Sequence, residues 1–331
     1  MREEIIYYYH VDPKDTVKLG NYNAFKLRNY FYFIIQTSYS EDDIKTLKGM
    51  SDFMSSLGDH TVAIPQYNRE GNLLSKADNK NIVLFRTVRK QISDTRSIGY
   101  ELAQFHQKGK YFQGDTGDFN RIGTWKELWE KRLDTLEAHW FKILNSKPSE
   151  EFDRVFIETF PYYLGLAENA IQYLVDCELD DEPNLFDAAT ISSERFTSRS
   201  WGEKFYYKVP SEWILDHPSR DLAEWIRATY FEKENSEQEI LKFLNEYEMV
   251  TPLTSFAWRL LYSRLLFPVH YFTVVENYYM SSDKDVKFEY AEQLTNIIDS
   301  AKDYELFLSN FFKNIKLPVT KLKIPQLDWL I

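Results

Sequence analysis

Apolar positions along this chain change their period once. From Tyr22 to Leu27 polar and apolar residues alternate, Arg28-Asn29 turns, and Tyr30 to Thr37 is an aromatic and β-branched run, which together predict a β-hairpin. Ser40 then precedes three acids, Glu41-Asp42-Asp43, an N-cap and first turn suited to the positive end of a helix dipole. Ile44, Leu47, Met50, Phe53, Met54 and Leu57 keep a 3.6-residue stripe that stops at Gly58. Thr61 to Gln66 and Asn81 to Val88 follow as strand candidates, with a turn at Arg69-Glu70-Gly71 between them. The predicted order is strand, strand, helix, strand, strand.

Beyond residue 90 the period is helical. Ser93-Asp94 is placed to cap a helix carrying Ile98, Leu102 and Phe105 on one face, and longer helices are predicted from Trp125 to Leu144 and from about 149 to 175. The stretch 185–216 reads as extended, with Arg195 to Arg199 and Lys204 to Val209 flanking a turn at Gly202. Helices resume at Pro218 to Phe231, Ser236 to Tyr247, Leu253 to Met280 with a break near Pro268, and Val286 to Asn314. The pattern predicts an α+β protein: a small β-rich lobe with one helix over 1–89, and a large, mainly helical lobe over 90–331.

Composition then removes function classes. The chain has 331 residues and a net charge of −11, which disfavours nucleic acid, because a backbone-binding surface needs an excess of Lys and Arg. Glycine is scarce at 11 residues, about half the usual ~7%, and neither G-x-G-x-x-G nor G-x-x-x-x-G-K-[ST] occurs. No apolar run approaches the ~20 residues of a membrane span, so no membrane partner is expected. With Cys177 as the single cysteine an intramolecular disulfide is ruled out, and an intracellular protein is the simplest account. The six histidines are dispersed without metal-ligand spacing, so no metal site is predicted. The many aromatic rings at helical spacing, such as Trp125 and Trp129 or Phe307, Phe311 and Phe312, read as core.

Three segments carry a family resemblance. Ile98-Gly99-Tyr100-Glu101-Leu102-Ala103-Gln104-Phe105-His106 resembles an L-G-x-x-L-A-x-x-H helix, and Thr61-Val62-Ala63-Ile64-Pro65 with Gly71 resembles an N-lobe strand and its turn. Asp216-His217-Pro218-Ser219-Arg220-Asp221-Leu222-Ala223 resembles a D-x-P-x-R-D-L-A segment. In this order they make the chain similar to the kinase-like aminoglycoside phosphotransferases and choline kinases, and within these to the YutH/CotS group of endospore coat-associated proteins. The resemblance implies a protein-kinase-like two-lobed fold, other spore coat proteins as partners, and residence in the mother-cell cytoplasm and the spore coat.

Phosphoryl transfer is positioning and charge neutralisation: a lysine for the phosphates, an Asn/Asp pair for Mg²⁺ and an Asp that orients the nucleophile. The resemblance puts Arg195 where the nucleophile-orienting Asp of H-G-D belongs, Ser200 at the Asn and Val209 at the metal Asp, so that 185–217 holds a degenerate catalytic loop. Strand Tyr30 to Ile35 has no phosphate lysine. A basic or apolar side chain cannot replace a hard oxygen ligand of Mg²⁺. Glu194, Glu212 and Asp216 remain as possible relocated acids, while Arg220 and Asp221 read as structural residues opening the next helix. Two readings stay open. One is a pseudokinase without cofactor that serves as a structural or interaction component of the coat; the other is a divergent active small-molecule or protein kinase using ATP and Mg²⁺ through relocated carboxylates. His106 is expected as a buried helix-end residue satisfied by a backbone carbonyl. The acid-free tail from Leu306 to Leu327, with Lys313, Lys316, Lys321 and Lys323, either packs back across the acidic body, the reading preferred here, or docks on another coat component.

Overall fold

The hairpin read from residues 22 to 37 forms the middle of the observed sheet. β1 (Thr16–Leu19), β2 (Tyr22–Leu27), β3 (Tyr30–Gln36), β4 (Ile64–Pro65), β5 (Ser75–Ala77) and β6 (Lys80–Val88) pair antiparallel in the order β1-β2-β3-β6-β4, with β5 also on β6. The computed structural model describes residues 2–12, 15–93, 95–146, 148, 150–327 and 329–330. Period-two alternation gives the sheet its two faces: Phe31, Phe33 and Phe85 are buried on one, and Phe25 and Leu84 on the other pack against Ile5 of α1 (Arg2–Tyr9). α2 (Glu41–Ser56) begins in a capping box, Ser40 Oγ accepting the Asp43 N–H at 3.1 Å and Asp43 Oδ2 accepting the Ser40 N–H at 2.8 Å.

Packing divides the chain into two compact units. The first, Met1–Ile122 with Ala188–Pro252, adds to the sheet α3 (Ile98–Gly109), the hairpin of β7 (Thr190–Ser193) and β8 (Trp213–Asp216), α6 (Ser219–Glu232) and α7 (Ser236–Glu248). α3 lies on α7 so closely that a Cβ at Gly99 would stand 2.2 Å from Phe243 O.

The second unit, Gly123–Asp187 with Leu253–Ile331, contains α4 (Trp125–Asn145), α5 (Glu151–Asp180), α8 (Ser255–Leu266), α9 (Val269–Met280), α10 (Lys284–Asp299), α11 (Ala301–Asn314) and α12 (Val319–Leu322). Its core is ring on ring: Trp129 stacks on Phe267 at 4.4 Å, Phe152 on Tyr278 at 3.5 Å and Tyr163 on Tyr271 at 3.7 Å. The tail packs back within this unit, Ser255 Oγ donating to Leu322 O at 2.7 Å and Ile324 being buried. No helix among the described residues is long and apolar enough to cross a membrane.

Several elements differ from the pattern reading. α1 and β1 are additional, too short for a periodic signal to stand out. The strand expected from Thr61 to Gln66 contracts to Ile64–Pro65, and the helix expected from Val286 to Asn314 breaks at Ser300, which caps the C-terminus of α10 and the N-terminus of α11. α3 starts at Ile98 behind Ser97 rather than at Ser93-Asp94; Asp94 lies outside the described residues. In 185–216 the paired strands are 190–193 and 213–216, not the two legs around Gly202.

Candidate functional site

α3, β7, α6 and α7 converge on a buried polar junction. His106, near the end of α3, places Nδ1 2.9 Å from Tyr247 Oη of α7 and Nε2 2.9 Å from Asp221 Oδ2 of α6. The Asp221 carboxylate also accepts the Ser193 N–H, at 2.9 Å to Oδ1 and 3.2 Å to Oδ2. Burial raises the Asp221 carboxyl above its ordinary value, opposed by His106 and the Ser193 N–H. Burial, and then the Asp221 charge, raise the Tyr247 phenol. His106 is thus buried as expected, but its ring is satisfied by a carboxylate and a phenol rather than by a backbone carbonyl; its own carbonyl accepts Thr190 Oγ1 at 2.7 Å. The sequence could not supply these partners, which come from far along the chain.

One residue before Asp221, Arg220 pairs through Nε with Asp216, and its Nη1 donates to Glu194 O at 3.3 Å. Asp216 also accepts the His217 N–H at 2.7 Å. Asp216, Arg220 and Asp221 are therefore all engaged in joining the β7–β8 hairpin to α6.

The hairpin opens at Glu194 and Glu212, next to the Ser193–Trp213 pair, with the Glu194 N–H donating to Glu212 O at 2.7 Å. Desolvation, and then the Glu194 charge, raise the Glu212 carboxyl. Tyr39 Oη donates to Ser211 O at 3.3 Å beside this pair, and burial followed by the Glu194 charge raises its phenol. Asp216 is not brought into the pair, since its carboxylate serves Arg220. Arg195 stands exposed at the start of the loop, and Ser200 closes a turn by accepting the Thr197 N–H at 2.8 Å. Val209 is buried. Further along the loop, Arg199 faces Glu203 at 3.6 Å on the surface. Among the described residues, no three or more His, Cys, Asp or Glu side chains come together as a metal site would require.

Between Gly202 and Val209 the chain crosses a groove bounded by the sheet, the β1–β2 turn and the segment leading from β6 to α3. Lys208 is its anchor. The ammonium meets Asp59 Oδ2 at 2.5 Å, beside the rings of Trp201 at 4.2 Å and Phe105 at 5.3 Å. Burial pulls this ammonium below the ordinary lysine value, with Asp59 opposing the shift. Burial pushes the Asp59 carboxyl up, but the Lys208 charge and hydrogen bonds from Lys208 and Thr61 outweigh it and hold the carboxyl below its ordinary value. Asp59 and Lys208 were not singled out by sequence reasoning, and they lie 149 positions apart.

The family profile described as "Spore coat putative kinase YutH" matches residues 2–311. The chain belongs to the YutH spore coat family. It is 42% identical over 311 residues to the endospore coat-associated protein YutH of Bacillus subtilis strain 168, covering 93% of this chain and 91% of that one. Spore coat protein S of the same strain is 26% identical over 225 residues, 64% of this chain and 63% of that protein. The fold is that of an aminoglycoside phosphotransferase from Alicyclobacillus acidocaldarius, TM-score 0.61 at 12% identity over 96% of both chains. A choline/ethanolamine kinase family protein from Mesorhizobium loti superposes with TM-score 0.54 at 8% identity over 91% of both chains. The YutH family thus carries a kinase-like α+β fold, and the relatives matched in sequence are spore coat proteins.

Proposed function

We propose that this YutH-family chain is a kinase-like component of the endospore coat that has given up phosphotransfer and works through contacts with other coat proteins, made in the mother-cell cytoplasm and kept in the coat. The observation that carries the reading is the engagement of the catalytic-loop region in structural bonds. Val209 is buried where the family's metal Asp belongs, and Asp216, a candidate replacement, is neutralised by Arg220. A magnesium nucleotide does not fit such residues, because Mg²⁺ takes hard oxygen ligands in near-octahedral geometry. Coat association is supported by 42% identity across nearly the whole length of an endospore coat-associated relative.

The test separates chemistry from assembly. In an endospore former lacking its own copy, the Glu194→Gln/Glu212→Gln chain is expected to reach the coat in the same amount as the wild type. A folded double variant that fails to assemble would contradict the reading.

One observation favours the second reading, a divergent kinase with relocated carboxylates: Glu194 and Glu212 sit side by side at the mouth of the hairpin, and the Glu212 carboxyl is raised by desolvation and by its neighbour. That reading requires Mg²⁺-dependent phosphotransfer that disappears in the same double variant.

A further inference from the structure

We infer that residues 204–208 are an intramolecular ligand: they fill the groove beneath the β1–β2 turn and hold it closed against nucleotide. The inference deepens the reading above, and rests on it in treating the groove as the former nucleotide site.

The peptide groups of the segment after β6 are already engaged. The Tyr206 N–H donates to Lys90 O at 2.9 Å, and the Ile92 N–H donates to Lys204 O at 3.1 Å. A purine base lying in this groove would use the same two groups, its exocyclic amine donating to a carbonyl and its ring nitrogen accepting an N–H. The crossing segment already satisfies both.

At its far end the segment is fastened again. Lys208 donates its N–H to Thr61 O at 3.1 Å, and Lys208 O accepts the Ala63 N–H at 2.8 Å. Side chains take up the volume between these fastenings. The Phe205 ring meets Phe31 of β3 edge-on at 5.0 Å, and Tyr207 meets Tyr22 of β2 at 6.1 Å. Tyr207 reaches the β1–β2 turn so closely that a Cβ on Gly20 would stand 2.0 Å from its Oη. In protein kinases the glycine-rich loop covers the phosphates; here a buried phenol occupies the space under the corresponding turn.

Two further residues fix the crossing. Gly202 turns the chain into it with φ of +83°, and a Cβ there would stand 2.1 Å from Phe205 O, so the turn demands glycine. The buried Lys208–Asp59 pair then ties the segment to the loop after α2.

Because the segment is covalently tethered, nucleotide must displace it, and apparent affinity is reduced by the fraction of time the groove is open. If that fraction is about 1%, removing the obstruction raises apparent affinity about 100-fold.

The test uses the full chain and a fluorescent ATP analogue without divalent metal, so that binding is read apart from catalysis. The wild type is expected to show weak or no saturable binding, and Phe205→Ala/Tyr207→Ala to bind on the order of 100-fold tighter. A wild type that binds as tightly as the double variant, or a folded double variant that still binds nothing, overturns the inference. Hydrogen exchange on the wild type decides the matter if the double variant does not fold. The amides of Ile92, Ala63, Tyr206 and Lys208 are expected to exchange together as one protected set, and exchange at the rate of exposed loops would overturn it. Phosphotransfer by the wild type would sink the proposed function. Nucleotide binding by the wild type as tight as that of the double variant, without transfer, would sink only the self-occupied groove.

Discussion

Two regions of the first compact unit lie side by side and differ in what their polar residues serve. At the junction of α3, α6 and α7, His106, Asp221, Tyr247 and the Ser193 N–H satisfy one another in the interior. In the neighbouring loop from Glu194 to Glu212, Arg195, Ser200 and Val209, which the sequence resemblance sets at the kinase positions, serve a surface, a turn and a core. A buried polar network can change only with a large loss of stability, because each member left alone carries its full desolvation cost. On the proposed reading, the junction holds the kinase-like fold together while the loop beside it is free to diverge.

The strongest way to break the comparison is at the junction. Asp221→Ala leaves His106 and the Ser193 N–H without their partner, and each buried polar group so orphaned costs about 1–3 kcal/mol; urea unfolding measures the loss. A loss below about 1 kcal/mol would show that these bonds do not hold the junction together.

Gly99→Ala comes next. The added Cβ meets backbone, Phe243 O, which cannot swing aside, and overpacking of this kind costs about 1–3 kcal/mol.

Asp59→Asn sharpens the boundary between the two regions, since it weakens the fastening of the crossing segment but leaves an amide able to bond Thr61. A loss of about 1–2 kcal/mol at neutral pH is expected. The sign of its pH dependence follows from a carboxyl held below its ordinary value. The ionised pair contributes stability above about pH 3.9, and that contribution is lost as pH falls through the depressed value. The gap between wild type and variant should therefore be constant near neutrality and shrink in acid.

The smallest effect belongs to the loop. Arg195→Asp places an acid at an exposed position, where the sequence resemblance expects one, and its stability change should stay within about 0.5 kcal/mol. Without a metal partner at Val209 it should bring no phosphotransfer.

The sequence disclosed what repeats locally and what matches in order. The β2–β3 hairpin, the capped α2 and the helices after residue 218 were legible because alternation, caps and 3.6-residue stripes are properties of neighbouring residues. The segments around His106 and Asp221 were legible as family marks, but their contact was not, because nothing in either segment names a partner 115 positions away. The crossing segment was read as one leg of a turn at Gly202. Its bonds to Lys90, Ile92, Thr61 and Ala63 are set by tertiary packing alone. The break at Ser300 was hidden because no Pro or Gly marks it.

Phosphorus NMR of the wild-type chain incubated with ATP and Mg²⁺ reads phosphotransfer itself. The account predicts that the γ-phosphate signal persists at the rate of a protein-free control. Its accelerated loss, abolished by Glu194→Gln/Glu212→Gln, would contradict the account and establish the relocated carboxylates as catalytic.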